Sequence, residues 1–195
     1  MALVVPVVAD RSIVRRSLIE LCPDLDIFID DEGKVLLDAS DSMEPGNYPE
    51  SRYCLEEAVA MQETIHVRLG PGFHEEQDLN GHWRRVAHLG SHTYPATGET
   101  EEYPGRRSGT GCIEINLDTE NDPADWSGFG GDIQGKPGRV PAPVWLVLGH
   151  ELCGHAVSGF GPETHMAALR AENELRQEHE KGEGRKYGKR DGSDH

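Results

Sequence analysis

The stretch LVLGHELCGHAVSG (146–159) carries two histidines and a glutamate, residue types that can bind a metal ion and move protons. Histidines four positions apart share one face of an α-helix, because each residue turns the helix by about 100°. Such a pair can bind one zinc ion while a neighbouring glutamate faces the metal-bound water. His150 and His155 are instead five positions apart. On a regular α-helix they would diverge by about 140°, too far for both to reach one ion.

Two local structures would restore a metal site. A π-bulge absorbs one extra residue in a turn, and Gly154 would ease either such a bulge or an early end of the helix. His150 and His155 would then converge, with Glu151 in the position of a general base. Alternatively, a regular helix places Glu151 and His155 on one face as the ligands and leaves His150 outside. The spacing leaves both arrangements open.

A second set of polar residues lies on the last patterned stretch, GPETHMAALRAENELRQEHEKG (161–182). His165, Glu172 and His179 recur every seven residues and therefore form one stripe along a helix. Arg176 lies on the same stripe and could hold a carboxylate in place. We expect Glu172 to be the third ligand, with His165 as the second candidate.

The elements that position these residues predict an α+β fold. The apolar run VWLVL leading into the histidines predicts a helix near 143–158, and a C-terminal helix follows near 162–181, with Pro162 in its first turn. The alternating GCIEINLDT predicts a half-buried strand near 111–118. Residues 91–111 and the Gly- and Pro-rich stretch that follows Thr119 are predicted to be loops.

The first half of the chain reads as mixed helix and strand. DIFIDDEGKVLLDA predicts a hairpin, SRYCLEEAVAMQET a helix and IHVRLG a strand. Five histidines between His66 and His92 lack the short spacings of ligand motifs, so we expect them on the surface or in hairpins. Together these elements predict a small mixed sheet with helices.

Composition limits the classes of partner. The net charge of −16 would repel polyanions, so nucleic acid and anionic membranes are not expected, whereas a basic protein partner is possible. No apolar run is long enough for membrane insertion. The N-terminus reads as a strand, so we expect a soluble protein made in the cytoplasm, with any export by a route without a cleavable signal peptide.

The four cysteines are Cys22, Cys54, Cys112 and Cys153, and no two have the CxxC spacing of structural zinc sites. Buried reduced thiols are the favoured interpretation. Two disulfides in an exported protein are the alternative.

Three segments in a fixed order, SGTGCIEINLD, VLGHELCGHA and ENELRQE, resemble the zincin metallopeptidases. The resemblance is to the glutamate-ligand (gluzincin-like) branch, in the metallopeptidase domains of bacterial secreted effectors and polymorphic toxins. It covers roughly residues 108–186. It implies that His150, His155 and Glu172 bind zinc and that Glu151 is the general base. It also implies an edge strand at 113–117 that pairs with an extended peptide, and a supporting role for Asn173 and Arg176.

The leading hypothesis is therefore a hydrolase with one Zn²⁺ per chain, acting on a peptide or protein substrate. The candidates for a fourth ligand or a group stabilising the oxyanion are His165, His179 and Tyr187. Alternatives are a peptidoglycan amidase, an iron-dependent oxygenase with Glu151 and His155 as ligands, and an inactive binding module stabilised by metal.

The length of 195 residues predicts a single domain over residues 1–182. Within it, 106–182 would form the metallopeptidase-like core, whereas 1–105 resembles no family. Residues 183–195 lack apolar periodicity and are predicted to be a flexible tail.

Overall fold

The computed structural model describes residues 2–38, 46–70, 72–88, 90–98, 100, 104–118, 131–136, 138–161, 164–184 and 187–190. The helices are α1 (Arg11–Leu21), α2 (Pro49–Ala60), α3 (Val144–Gly149), which continues into a π-helix (His150–Val157), and α4 (Thr164–Glu183), with a 3₁₀ turn at Val8–Asp10. The strands are β1 (Leu3–Val4), β2 (Asp26–Ile29), β3 (Val35–Asp38), β4 (Ile65–Leu69), β5 (Gly72–Gln77), β6 (Trp83–His88), β7 (His92–Tyr94), β8 (Arg106–Arg107), β9 (Ile113–Leu117), β10 (Gly131–Lys136), β11 (Gly138–Ala142) and β12 (Lys189–Arg190). The chain is α+β, as predicted.

The largest sheet has four strands in the order β1-β4-β9-β7. β1, β4 and β9 are parallel, and β7 runs antiparallel to β9 with Thr93 opposite Ile115. Alternate residues of a strand point to opposite faces, so Thr93, Val67 and Ile115 lie on one face. That face meets the π-helix, which contacts both β7 and β9.

The prediction that the strand near 111–118 forms the sheet edge is wrong. β9 lies between β4 and β7, and all five of its residues are buried. Its polar residues misled the sequence pattern: Glu114 is buried because it pairs with His66 and Arg68 of β4. Among the strands that the structure describes, β7 forms the edge of the sheet on this side.

One hydrophobic cluster joins the two halves of the chain. It includes Leu3 of β1, Leu18 of α1, Ile115 of β9, Leu152 of the π-helix and Leu175 of α4. The π-helix packs between the sheet on one side and α2 and α4 on the other. The first hundred residues therefore support the helix that carries the histidines.

Several predicted elements are confirmed. β2 and β3 form the expected hairpin, with Gly33 at a positive φ of 87° in the turn. α2 and β4 match the predicted helix and strand, and the two C-terminal helices lie where expected. α1 was not anticipated, although Val14, Leu18 and Leu21 are spaced as the buried face of a helix.

Two segments differ from the prediction. Residues 131–142, expected to be loop, form the hairpin β10–β11, whereas residues 119–130 lie outside the described part of the chain. Part of the predicted tail is also ordered, since Tyr187 is buried and β12 pairs with β10. Residues 191–195 of that tail lie outside the described residues. Among the helices described, none has the length and apolar character needed to cross a membrane.

Candidate metal centre

The helix that carries the two histidines changes its hydrogen-bonding pattern at the first of them. It is α-helical over Val144–Gly149 and π-helical over His150–Val157. In a π-helix each N–H bonds to the carbonyl five residues back, so residues five apart come close to one face. The ring centroids of His150 and His155 are 5.2 Å apart. Of the two arrangements left open by the spacing, the chain adopts the one in which these histidines converge.

A third histidine completes the cluster. His165 is the second residue of α4, and its ring centroid lies 6.2 Å from that of His150. One ligand atom from each of His150, His155 and His165 lies within 4.8 Å of the other two. His150 and His155 are buried, whereas His165 is half-buried at the rim. Three imidazoles are a donor set that suits zinc and other first-row transition metals, so this group could hold a metal ion.

Gly154 brings α4 close enough for His165 to join the other two histidines. A Cβ atom at position 154 would lie 2.3 Å from Cα and 2.4 Å from Cβ of Ala168. Ala168 is three residues, about one turn, after His165 on the same helix face. Gly154 lies within the π-helix, where it was expected to ease the change in helical geometry, and its missing side chain also lets the two backbones approach.

Glu151 lies beside the cluster and is held from the sheet. Its side chain is buried, and the Thr93 hydroxyl donates a 2.7 Å hydrogen bond to its Oε2. Burial raises the pKa of the Glu151 carboxyl, but the His155 and His150 imidazoles and the Thr93 hydroxyl outweigh this effect. The net pKa is therefore below its usual value, and the carboxylate is the favoured form.

Glu172 contacts His150 but is not one of the three residues of the cluster. Its Oε2 is 2.9 Å from Nδ1 of His150 and 2.8 Å from Nη1 of Arg190, while its Oε1 accepts from Arg176. Burial raises its pKa, but His150 and the two guanidinium groups reverse the effect and lower it to about 2. The expected third ligand is thus engaged with these partners, and the second candidate, His165, stands in the cluster. Glu172 and His165 both face the π-helix from α4, and the sequence stripe could not tell which of them lies in the histidine cluster.

Asn173 and Arg176 support Glu172 through the end of the chain. The Asn173 amide accepts a 2.7 Å bond from the backbone N–H of Arg190 and donates to its carbonyl oxygen. Arg176 binds Glu172 and donates to the carbonyl oxygen of Tyr187 at 2.9 Å. These bonds hold residues 187–190 against α4, which explains why this part of the predicted tail is ordered.

His179 and Tyr187, two candidates for a fourth ligand or an oxyanion group, occupy a different part of the molecule. The His179 ring stacks on Trp145 at 4.0 Å, and its nitrogens lie 2.9 Å from the Leu21 carbonyl oxygen and the Glu183 carboxylate. The Tyr187 hydroxyl donates to Glu183 at 2.7 Å. Both side chains are buried there. His179 lies on the predicted stripe of α4, but 14 residues, about four turns, beyond His165.

A disulfide links the π-helix to the first half of the chain. Cys153, between Glu151 and His155, is bonded to Cys54 of α2, whereas Cys22 and Cys112 are free thiols. The favoured interpretation of four reduced thiols is therefore wrong for one pair. No spacing rule connects cysteines 99 residues apart, and only the packing of α2 on the π-helix brings them together.

Thr93 is the site residue that the sequence did not reveal. It lies in SHTYP, within a stretch predicted to be a loop, and β7 has only three residues. The alternation His-Thr-Tyr favours a strand, but it is too short to separate from the surrounding Gly- and Pro-rich sequence.

Comparison of the chain with protein-family models, with curated proteins and with solved structures found no match. A function for this chain must therefore be inferred from the geometry and chemistry of the site itself.

Proposed function

We propose that this chain is a zinc-dependent hydrolase that cleaves a peptide bond, with His150, His155 and His165 as the ligands. The observation that carries the proposal is the convergence of three histidine ligand atoms within 4.8 Å, next to a buried glutamate. A three-ligand set leaves a position for water, which is the arrangement of catalytic zinc sites. When bound, the metal would supply acidification of a water molecule and polarisation of the scissile carbonyl.

Glu151 is the proposed general base. It directly follows His150 in the π-helix, and its lowered pKa keeps it as a carboxylate able to accept a proton at neutral pH. The same group, once protonated, can deliver that proton to the leaving amine. Thr93 donates to Oε2, and in this proposal the other carboxylate oxygen accepts the proton of the water.

Glu172 orients His150 in this proposal. Histidine ligands of metals commonly direct their second nitrogen to a carboxylate, which fixes the ring and raises its basicity. The 2.9 Å contact between Nδ1 of His150 and Oε2 of Glu172 would leave Nε2 of His150 as the nitrogen that binds the metal. The cationic groups of Arg176 and Arg190 hold the carboxylate in place.

The edge strand β7 supports a peptide as the substrate. β7 ends the sheet on the side of the π-helix, and Thr93 at its centre contacts Glu151. An extended peptide can add to such an edge by backbone hydrogen bonds. A peptide paired there would run past Glu151, which assigns to β7 the role first expected of β9. Of the three candidate oxyanion groups, His165 is the one that lies at the histidine cluster, where it is proposed as a ligand.

The metal site is tested by zinc stoichiometry of the wild type and of His155→Ala, His165→Ala and His179→Ala, measured by mass spectrometry under native conditions. We expect one zinc per chain in the wild type and in His179→Ala, and a loss in the other two variants. Retention of stoichiometric zinc by His165→Ala would contradict the ligand set. Absence of zinc from the wild type after zinc is offered would contradict the proposal as a whole.

The chemistry is tested with Glu151→Gln on a library of unstructured peptides. We expect the variant to bind zinc as the wild type does and to lose cleavage by a factor of at least about 10². Cleavage retained by this variant would exclude Glu151 as the base. Release of peptidoglycan fragments without peptide cleavage would favour an amidase, and bound iron with oxygen-dependent turnover would favour an oxygenase.

A further inference from the structure

Thr93 contacts the proposed general base from a different element. Its Oγ1 lies 2.7 Å from Oε2 of Glu151 and 3.3 Å from the Glu151 carbonyl oxygen. Thr93 is 1% exposed and Glu151 is 5% exposed, so water does not compete freely for this bond. A hydroxyl that donates to a buried carboxylate forms a charge-assisted hydrogen bond, which is stronger than a neutral one.

A glutamate in this position has a second possible role, that of ligand. Carboxylates are common zinc ligands, and a negative charge beside a divalent cation gains energy by direct coordination. Glu151 adjoins His150 in the chain, shares the π-helix with His155, and is buried like both of them. Something must therefore hold the side chain away from the ion if Glu151 is to act on a water molecule.

We propose that Thr93 is a positioning residue that keeps Glu151 out of the metal's coordination shell, so that the three histidines leave one position open. This inference rests on the proposed function, because it requires a metal on the histidine cluster. The rigid part of the device is the sheet: β7 pairs with the buried strand β9, and the β-branched Thr93 side chain has few rotamers. The π-helix supplies the base, and the sheet fixes where its carboxylate points.

The experiment uses Co²⁺ bound to the full chain, because its visible absorption depends on which groups coordinate the ion. Thr93→Val removes the hydroxyl at almost constant shape, whereas Thr93→Ser retains it. We expect Thr93→Val to show a shifted visible spectrum and at least tenfold tighter Co²⁺ binding, since the released Glu151 would replace water at the open position. Thr93→Ser, and Thr93→Val combined with Glu151→Gln, should both match the wild-type spectrum.

A matched control is available on the opposite face of the sheet. Thr110 donates a 2.9 Å hydrogen bond to Glu114. The same carboxylate pairs with His66 and Arg68 of β4. Thr110→Val should therefore lose a threonine–glutamate bond of the same kind without any change in the Co²⁺ spectrum. A shift in this control equal to that of Thr93→Val would overturn the proposal.

The remaining outcomes distinguish the role of Thr93 from the existence of the metal site. An unchanged spectrum and affinity in Thr93→Val, with Co²⁺ bound, would refute the role of Thr93 and leave the metal site intact. The same would follow if the double variant kept the shifted spectrum, because the cause would then be packing. Failure of the wild type to bind Co²⁺ or Zn²⁺ at one per chain would refute the proposed function and this inference together.

Discussion

Gly154→Ala isolates the contact that brings α4 to the π-helix. The added methyl group would lie 2.3 Å from Cα of Ala168, about 1 Å inside the distance at which ordinary contact begins. The atom it meets belongs to the backbone, so no rotation of a side chain can relieve the clash. Metal–ligand distances tolerate only about 0.2 Å. A shift of α4 by about 1 Å would therefore move His165 out of position for an ion shared with His150 and His155.

The size of the effect follows from the cost of overpacking. Extra methyl groups in a packed interior cost about 1–3 kcal/mol. If α4 remains in place, the cost lowers the free energy of unfolding of the metal-free protein. If α4 moves away, the cost is instead lost from zinc binding, as a fall in affinity of about 5- to 150-fold. In both cases the zinc-loaded protein becomes less stable by about 1–3 kcal/mol.

Urea unfolding with and without saturating zinc measures both parts of this cost. Without the clash, replacing glycine by alanine in a helix would stabilise the protein by about 0.4–1 kcal/mol, so the two effects have opposite signs. Gly161→Ala serves as the control, because nothing lies within 4 Å of a Cβ atom at that position. Equal or greater stability of zinc-loaded Gly154→Ala would refute the view that this contact sets the position of His165.

Three further predictions concern other contacts. Glu172→Gln should still bind one zinc at saturation, but with about 10- to 100-fold lower affinity, because Glu172 orients His150. Complete loss of zinc from this variant would instead show that Glu172 itself is a metal ligand. Reducing the Cys54–Cys153 disulfide should lower the free energy of unfolding by about 2–4 kcal/mol. In a variant with serine at both positions, the reductant should leave the free energy of unfolding unchanged. Hydrogen bonds and charges from His66, Thr110 and Arg68 outweigh burial and lower the pKa of Glu114. Its contribution to stability should therefore be complete above about pH 4.5 and disappear as the pH falls below that value, so the difference in urea midpoint between wild type and Glu114→Gln should shrink there.

The sequence alone determined the features that depend on neighbours along the chain. The turn at Gly33, the two C-terminal helices and the α+β class follow from periodicity and from turn residues, which act within a few positions. The spacing of His150 and His155 also limited a metal site on their helix to two arrangements, a π-bulge that brings the histidines together or a regular helix that pairs Glu151 with His155, because helix geometry is fixed by the backbone.

Only the tertiary structure decided what depends on contacts between distant segments. The contact of Gly154 with Ala168 sets the side of α4 that faces the π-helix. His165 and Glu172 both lie on that side, and only the tertiary structure shows that His165 joins the two other histidines whereas Glu172 contacts His150. The position of β9 inside the sheet depends on partners of Glu114 that lie nearly fifty residues away. Thr93 reaches Glu151 across 58 residues. Hydrogen bonds, packing and disulfides of this kind form between surfaces that meet only after folding, and local sequence patterns carry no record of them.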